Sequence, residues 1–171
     1  MTQFFLNSQF YQAKKQRRGT LLLYFIVLGV YLFISLGLFL WFRTLPYNAD
    51  EITTIKLIHY PITFVFVIYS FIYLGIKYKR INKYYKLTRN LVVGLKETST
   101  GSFFEYNESI RTKDGVDFKS LVFIEWNKFK DDFYERHVLV FKDMPFPELQ
   151  ENQNVRYVTQ GNVLISYEIL S

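Results

Sequence analysis

Residues 20–42 read TLLLYFIVLGVYLFISLGLFLWF, and residues 57–76 read LIHYPITFVFVIYSFIYLGI. The first stretch has no charged residue, and His59 is the only Asp, Glu, Lys, Arg or His in the second. A hydrocarbon core about 30 Å thick is crossed by roughly 20 apolar helical residues at about 1.5 Å each. Both stretches meet that length, which is long for core helices in a chain of 171 residues. They predict two transmembrane helices, 20–42 and 57–76, joined by a loop over 43–56. Basic residues precede the first stretch, as in a secretory signal. Its length and its LWFR ending, with no small-residue cleavage site, read instead as a retained anchor.

Charge sets the expected orientation. Residues 1–19 carry Lys14, Lys15, Arg17 and Arg18 with no acid, and residues 77–89 carry six cations with no acid. The 43–56 loop balances Arg43 and Lys56 against Asp50 and Glu51. Cations near span ends stay on the cytoplasmic side. Both termini are therefore expected in the cytoplasm, as a cytoplasmic segment 1–19 and a basic juxtamembrane connector 77–89, with the loop outside. Trp41, Phe42, Tyr60, Tyr73 and Tyr78 lie near the span ends, at headgroup level. Alanine occurs only at Ala13 and Ala49. That scarcity reads as the codon bias of an AT-rich bacterial genome, so the expected location is a bacterial cytoplasmic membrane.

Within the hairpin, Pro46 and Asn48 read as a turn, and Pro61 reads as a helix-start proline in the first turn of the second helix. Ser35, Thr63 and Ser70 can bond back to their own helix carbonyls. Gly29 and Gly37, eight residues apart, offer a face for close helix packing. His59 reads as an interfacial histidine. The spans hold no Asp, Glu, Lys or Arg, which argues against an ion or proton path. The first twelve residues, MTQFFLNSQFYQ, suit either a helix in the headgroup plane or a frayed aromatic tail.

From Asn90 the pattern changes to period-two alternation broken by turn residues, which predicts a small β-domain over 90–171. Strands are expected at 91–97, 102–111, 116–126, 133–141, 154–158 and 163–170. Turns are expected at Thr100-Gly101, at Asp114-Gly115, and at Gln160-Gly161-Asn162. Pro145 and Pro147 exclude a central strand between them. Six short strands imply a compact antiparallel barrel or sandwich, OB-like or SH3-like in size. The expected inward set is Val92, Phe104, Val122, Ile124, Trp126, Val138, Val140, Val155, Tyr157, Val163, Ile165 and Tyr167.

Chemistry-bearing patterns are few. The chain has no cysteine, which removes disulfides, thiolate metal sites and cysteine nucleophiles. His137 and Glu135 share a strand face, but no serine or threonine is placed to act with them. Asp131-Asp132 lacks the ligand spacing of a calcium loop, and the scattered glycines form no phosphate-binding motif. No catalytic residue, cofactor or metal site is predicted. Lys77, Lys79, Arg80, Lys83 and Lys86 are the candidate contacts to anionic lipid headgroups, each worth about 1 kcal/mol near the surface. Phe103, Tyr106, Trp126, Phe129, Phe133 and Tyr134 are expected first to fill the small barrel core, and any left exposed would form a candidate partner patch. The remainder of the chain carries nine bases and thirteen acids, so nucleic acid is not an expected partner. These features lead to a non-enzymatic accessory or scaffolding protein that presents its β-domain to a protein partner. The alternative is a component of a small oligomeric channel or transporter, with homo-oligomers packed through Gly29 and Gly37.

Overall fold

A computed structural model of the chain describes residues 1–171 apart from Leu6, Asn48, Asp114, 128–130 and Ser171. In chain order the elements are β1 (Thr2–Gln3), α1 (Asn7–Thr44), α2 (Glu51–Ile72), a π-helical stretch (Tyr73–Tyr78) and α3 (Lys79–Val93). Then follow β2 (Glu97–Lys113), β3 (Val116–Asn127), β4 (Asp132–Phe141), β5 (Asn154–Gln160) and β6 (Val163–Ile169). They divide into a helical unit, Lys15–Asn82, and a second unit that joins Met1–Lys14 to Lys83–Ser171.

In the helical unit, two helices are long and apolar enough to cross a membrane. The second starts at Glu51, earlier than expected. The Ile52 and Thr53 amides bond to Ala49 O and Asp50 O at 3.2 and 3.1 Å, and Ile55 is buried. Pro61 therefore lies inside α2 and is not a helix-start proline. Asn48 of the expected turn lies outside the described residues.

The two helices meet through rings and hydroxyls. Tyr31 stacks on Phe66 with centroids 4.1 Å apart, and Tyr24 stacks against Tyr69 and Tyr73. The Tyr73 hydroxyl donates to Thr20 O at 3.0 Å. Thr63 and Ser70 bond to side chains of the neighbouring helix and not to the carbonyls of their own. Thr63 Oγ1 lies 3.2 Å from the Tyr31 hydroxyl, and the Tyr24 hydroxyl donates to Ser70 Oγ at 3.3 Å. Such bonds between neighbouring helices each contribute on the order of 1 kcal/mol in an apolar medium. Gly29 and Gly37 take no part: a Cβ at either position would meet nothing within 4 Å.

In the second unit, β2 to β6 close into a barrel in the order β4-β3-β2-β5-β6, with β6 returning to β4. All neighbours are antiparallel except β4 and β6, which meet in parallel at Leu139 and Val163. The expected all-antiparallel barrel is corrected at that one junction. The interior is filled by Phe103, Leu121, Phe123, Val138, Val140, Val155, Tyr157 and Leu164. Leu149 and Phe146 from the Pro145–Pro147 loop join this core. The Tyr106 hydroxyl ties that loop down, bonding Leu149 N at 2.7 Å and the Pro147 and Leu149 carbonyls at 2.9 Å.

Several expected inward residues lie outside the barrel interior. The β2–β3 register slips between Phe103 and Glu105. The extra residue, Phe104, is pushed outward and is 40% exposed, while Phe103 takes the core position at 2%. A bulge reverses the phase of everything beyond it. Strand β3 has no such break along β4; its odd-numbered residues Leu121 and Phe123 fill the interior, Val122 is buried outside that cluster, and Trp126 is exposed. A second slip between Val158 and Thr159 on the β5–β6 pair puts Leu164 inside, while Val163 packs on the outer face.

The strand expected at 91–97 is helix up to Val93, and Val92 packs outside the barrel. Leu87 and Leu91, one helical turn apart, cover Phe118, Leu139, Phe141 and Val163 on the outer wall. Thr100-Gly101 is not a turn. Gly101 lies mid-strand, where a Cβ would approach Ile124 O to 2.9 Å. Gly161 and Asn162, at φ +53° and +66°, form the predicted final turn, both residues adopting the left-handed conformation that tight hairpins favour. Gly115 has φ +75°, while Asp114 lies outside the described residues.

The N-terminus is neither a headgroup helix nor a frayed tail. Thr2 and Gln3 pair with Tyr167 and Ser166 of β6, and the Phe4 and Phe5 amides both bond to Ile165 O at 2.9 Å. Phe5 is 5% exposed against Leu87, Leu91 and Phe141, and Phe10 stacks on Tyr85. Phe5→Ala should destabilise the barrel unit by about 3 kcal/mol, as for other buried phenylalanines. Tyr11→Ala, at a largely exposed position, should change it by less than about 0.5 kcal/mol. Denaturant titration of the full chain in detergent, followed by β-sheet circular dichroism, separates the two; equal effects would remove Phe5 from the core.

Candidate functional site

Because β3 and β4 pair with Phe123 opposite Arg136 and Glu125 opposite Tyr134, the inward run of Leu121 and Phe123 ends in a carboxylate. The inward run of Val140 and Val138 ends in a guanidinium. The Glu125 and Arg136 side chains are only 9% and 11% exposed, and Arg136 Nη1 lies 3.5 Å from Glu125 Oε2. Both Glu125 oxygens accept further bonds, one from the Tyr157 hydroxyl and one from Tyr134 at 2.5 Å. Arg136 also bonds Glu97 Oε2 and Ser99 Oγ, each at 2.7 Å, and lies over the Tyr157 ring at 5.8 Å.

A largely buried charge pair is tolerable only when its remaining donors and acceptors are met, and here side chains from three strands, two of them tyrosines, meet them. Burial works against the Arg136 charge, but the Glu97 hydrogen bond and the Glu125 carboxylate outweigh it and hold its pKa above the ordinary value. Tyr134 is raised by its hydrogen bond to Glu125, then by burial, against a smaller opposing pull from Arg136. The sequence reading missed this pair, although two opposite charges at inward positions of adjacent strands are visible once the β3 phase is set correctly.

Beside this network, an open groove of about 720 Å³ runs along β4. Arg111 and Lys113 line it from the end of β2, Glu135, His137 and Leu139 from β4, and Asn162 from the last turn. His137 Nδ1 is buried with no hydrogen-bond partner. Glu135 and His137 share this face as expected, and no metal-ligating cluster occurs among the described residues. Trp126 and Phe133 pack edge to face at 4.8 Å and remain exposed, whereas Phe103 is core and Phe129 lies outside the described residues.

The candidate lipid contacts Lys77, Lys79, Arg80, Lys83 and Lys86 are all exposed, and none forms an ion pair among the described residues. Lys77, in the π-helical stretch, lies over the Tyr73 ring at 5.0 Å. Lys83 belongs to the barrel unit, where its side chain runs beside Gly115. His59 is not isolated: its Nε2 is 3.4 Å from Thr63 Oγ1.

Comparison with protein families, with curated proteins and with solved structures finds no match to this chain.

The Tyr134 shift has a testable sign. A pKa raised by folding contributes stability that is present below pH 10, the ordinary tyrosine value, and is lost as pH rises through the folded value. Tyr134→Phe should cost about 1 kcal/mol at pH 7, the worth of one hydrogen bond. That deficit should shrink as pH climbs above about 10. Denaturant midpoints of both proteins at pH 7 to 11 check this; a deficit that stays constant across the range would contradict it.

Proposed function

We propose that this chain is a non-enzymatic accessory or scaffolding protein of a bacterial cytoplasmic membrane. The hairpin anchors it, and the barrel binds a protein partner at the inner face. The pairing of β1 with β6 carries the reading. Strand pairing keeps the first residues and the barrel on one side of any bilayer that the intervening hairpin crosses. The cations that flank the hairpin make that side the cytoplasm. Lys77, Lys79, Arg80, Lys83 and Lys86 then lie where anionic headgroups would meet them, adding about 1 kcal/mol each.

Within this reading the barrel is OB-like rather than SH3-like. Its parallel β4–β6 contact breaks a simple meander and gives a Greek-key order. Fold alone assigns no activity, and the binding role rests on the surface. The polar groups at the barrel mouth are largely engaged with one another, while the Trp126–Phe133 pair and the groove are left open. A photoreactive amino acid at Phe133 in the full chain, irradiated in native membranes, should give one discrete heteromeric adduct. The same residue at Phe33, an exposed position in the first span, should not give it. Absence of that adduct from both Phe133 and Trp126 would contradict the proposal.

A further inference from the structure

β4 pairs with β3 along its whole length, from Asp132 opposite Asn127 to Phe141 opposite Phe118. Its other edge meets β6 only at Leu139. The Leu139 N–H points across that edge and donates to Asn162 O at 2.7 Å. Backbone groups alternate in direction along a strand. The N–H and C=O groups of Glu135 and His137 therefore point to the same edge, where no strand lies beside them among the described residues. Phe133 marks the gap, since its N–H takes the Asp132 carboxylate at 2.7 Å in place of a strand partner.

Open edges of this kind accept added strands, and folds usually guard them with prolines, bulges or short length. β4 has ten residues, no proline and an unbroken register. The groove along it also holds groups that lack a partner. Arg111 has no ion pair among the described residues, and His137 Nδ1 has no hydrogen bond. Glu97 on the same groove is already taken by Arg136.

We propose that the open edge of β4 binds an extended segment of the partner protein as a further strand, with a carboxylate of that segment meeting Arg111. Main-chain bonds to Glu135 and His137 would supply the strand's grip, and the cation at the groove rim its preference for acidic sequences. This deepens the reading of the barrel as a partner-binding module and rests on it.

The test uses the full chain in nanodiscs of neutral phosphatidylcholine. The probe is a fluorescein-labelled peptide of seven alternating valines and glutamates. Anisotropy should show saturable binding, at least tenfold tighter than for the lysine counterpart, and Arg111→Glu should abolish that preference. Glu135→Pro removes an N–H that faces the open edge and leaves the β3 ladder intact. It should weaken binding at least tenfold, while Glu135→Ala changes it less than threefold. Should the proline variant not fold, a probe N-methylated at alternate residues replaces it and should bind at least tenfold more weakly. No saturable binding, equal binding of the acidic and basic peptides, or indifference to both the proline and the N-methyl groups would overturn the proposal. A photo-adduct at Phe133 that persists in Glu135→Pro would leave the partner-binding reading standing and exclude this edge as its site.

Discussion

Thr2 and Gln3 lie beside Ser166 and Tyr167, and the rest of the architecture depends on that pairing. It joins the first residues of the chain to its last strand across two helices of membrane-spanning length. The chain thus begins in the barrel unit, leaves it through α1, turns within six residues and returns through α2 and α3. Four bridging backbone partners would be a weak clamp by themselves. Phe5, buried against Leu87, Leu91 and Phe141, adds roughly 1.5–3 kcal/mol of apolar burial. The N-terminal segment is therefore a component of the barrel's outer wall.

The barrel mouth follows a different logic. Burying Glu125 and Arg136 costs several kcal/mol of hydration per ion, which their mutual attraction offsets only with good geometry and full hydrogen bonding. Tyr157, Tyr134, Ser99 and Glu97 provide that bonding from three strands. A network spread over so many strands ties their registers together, because a slip of one residue would strand a charge. The cost is thus matched by a gain in uniqueness at the end of the barrel where β4 loses its β6 neighbour.

Much of the fold was legible in the sequence. Uninterrupted apolar length identified both helices, and turn chemistry placed Gly115 and the Gly161-Asn162 pair. Five of the six expected strands were legible as runs of alternation, but the face of each run was not. A bulge at Phe104 is invisible to a period-two rule and reversed the reading there, while the unbroken strand β3 was read one residue out of phase, which misplaced Ile124 and Trp126. The segment around Leu91 was misread for a more avoidable reason. Tyr84, Leu87, Thr88 and Leu91 follow helical spacing, and α3 buries that stripe on the barrel's outer wall. Two residues of β1 are too short for any periodicity to register. The pair at the barrel mouth was hidden behind the phase error on β3, since Glu125 and Arg136 look like surface charges until Leu121 and Phe123 are turned inward.

The most direct measurement of the account is a cysteine crosslink between the partners that define it. The chain has no native cysteine, so Thr2→Cys with Tyr167→Cys reports without background. Oxidation in intact membranes should close an intramolecular disulfide, seen as a mobility shift on non-reducing gels. A Thr2→Cys, Phe104→Cys pair should show none. An impermeant thiol reagent should reach Thr2→Cys only after the membrane is opened from the cytoplasmic side, and should reach a cysteine at Tyr47 without opening it. Failure of the Thr2–Tyr167 crosslink, or labelling of Thr2 and Tyr167 from opposite faces of the membrane, would contradict the account.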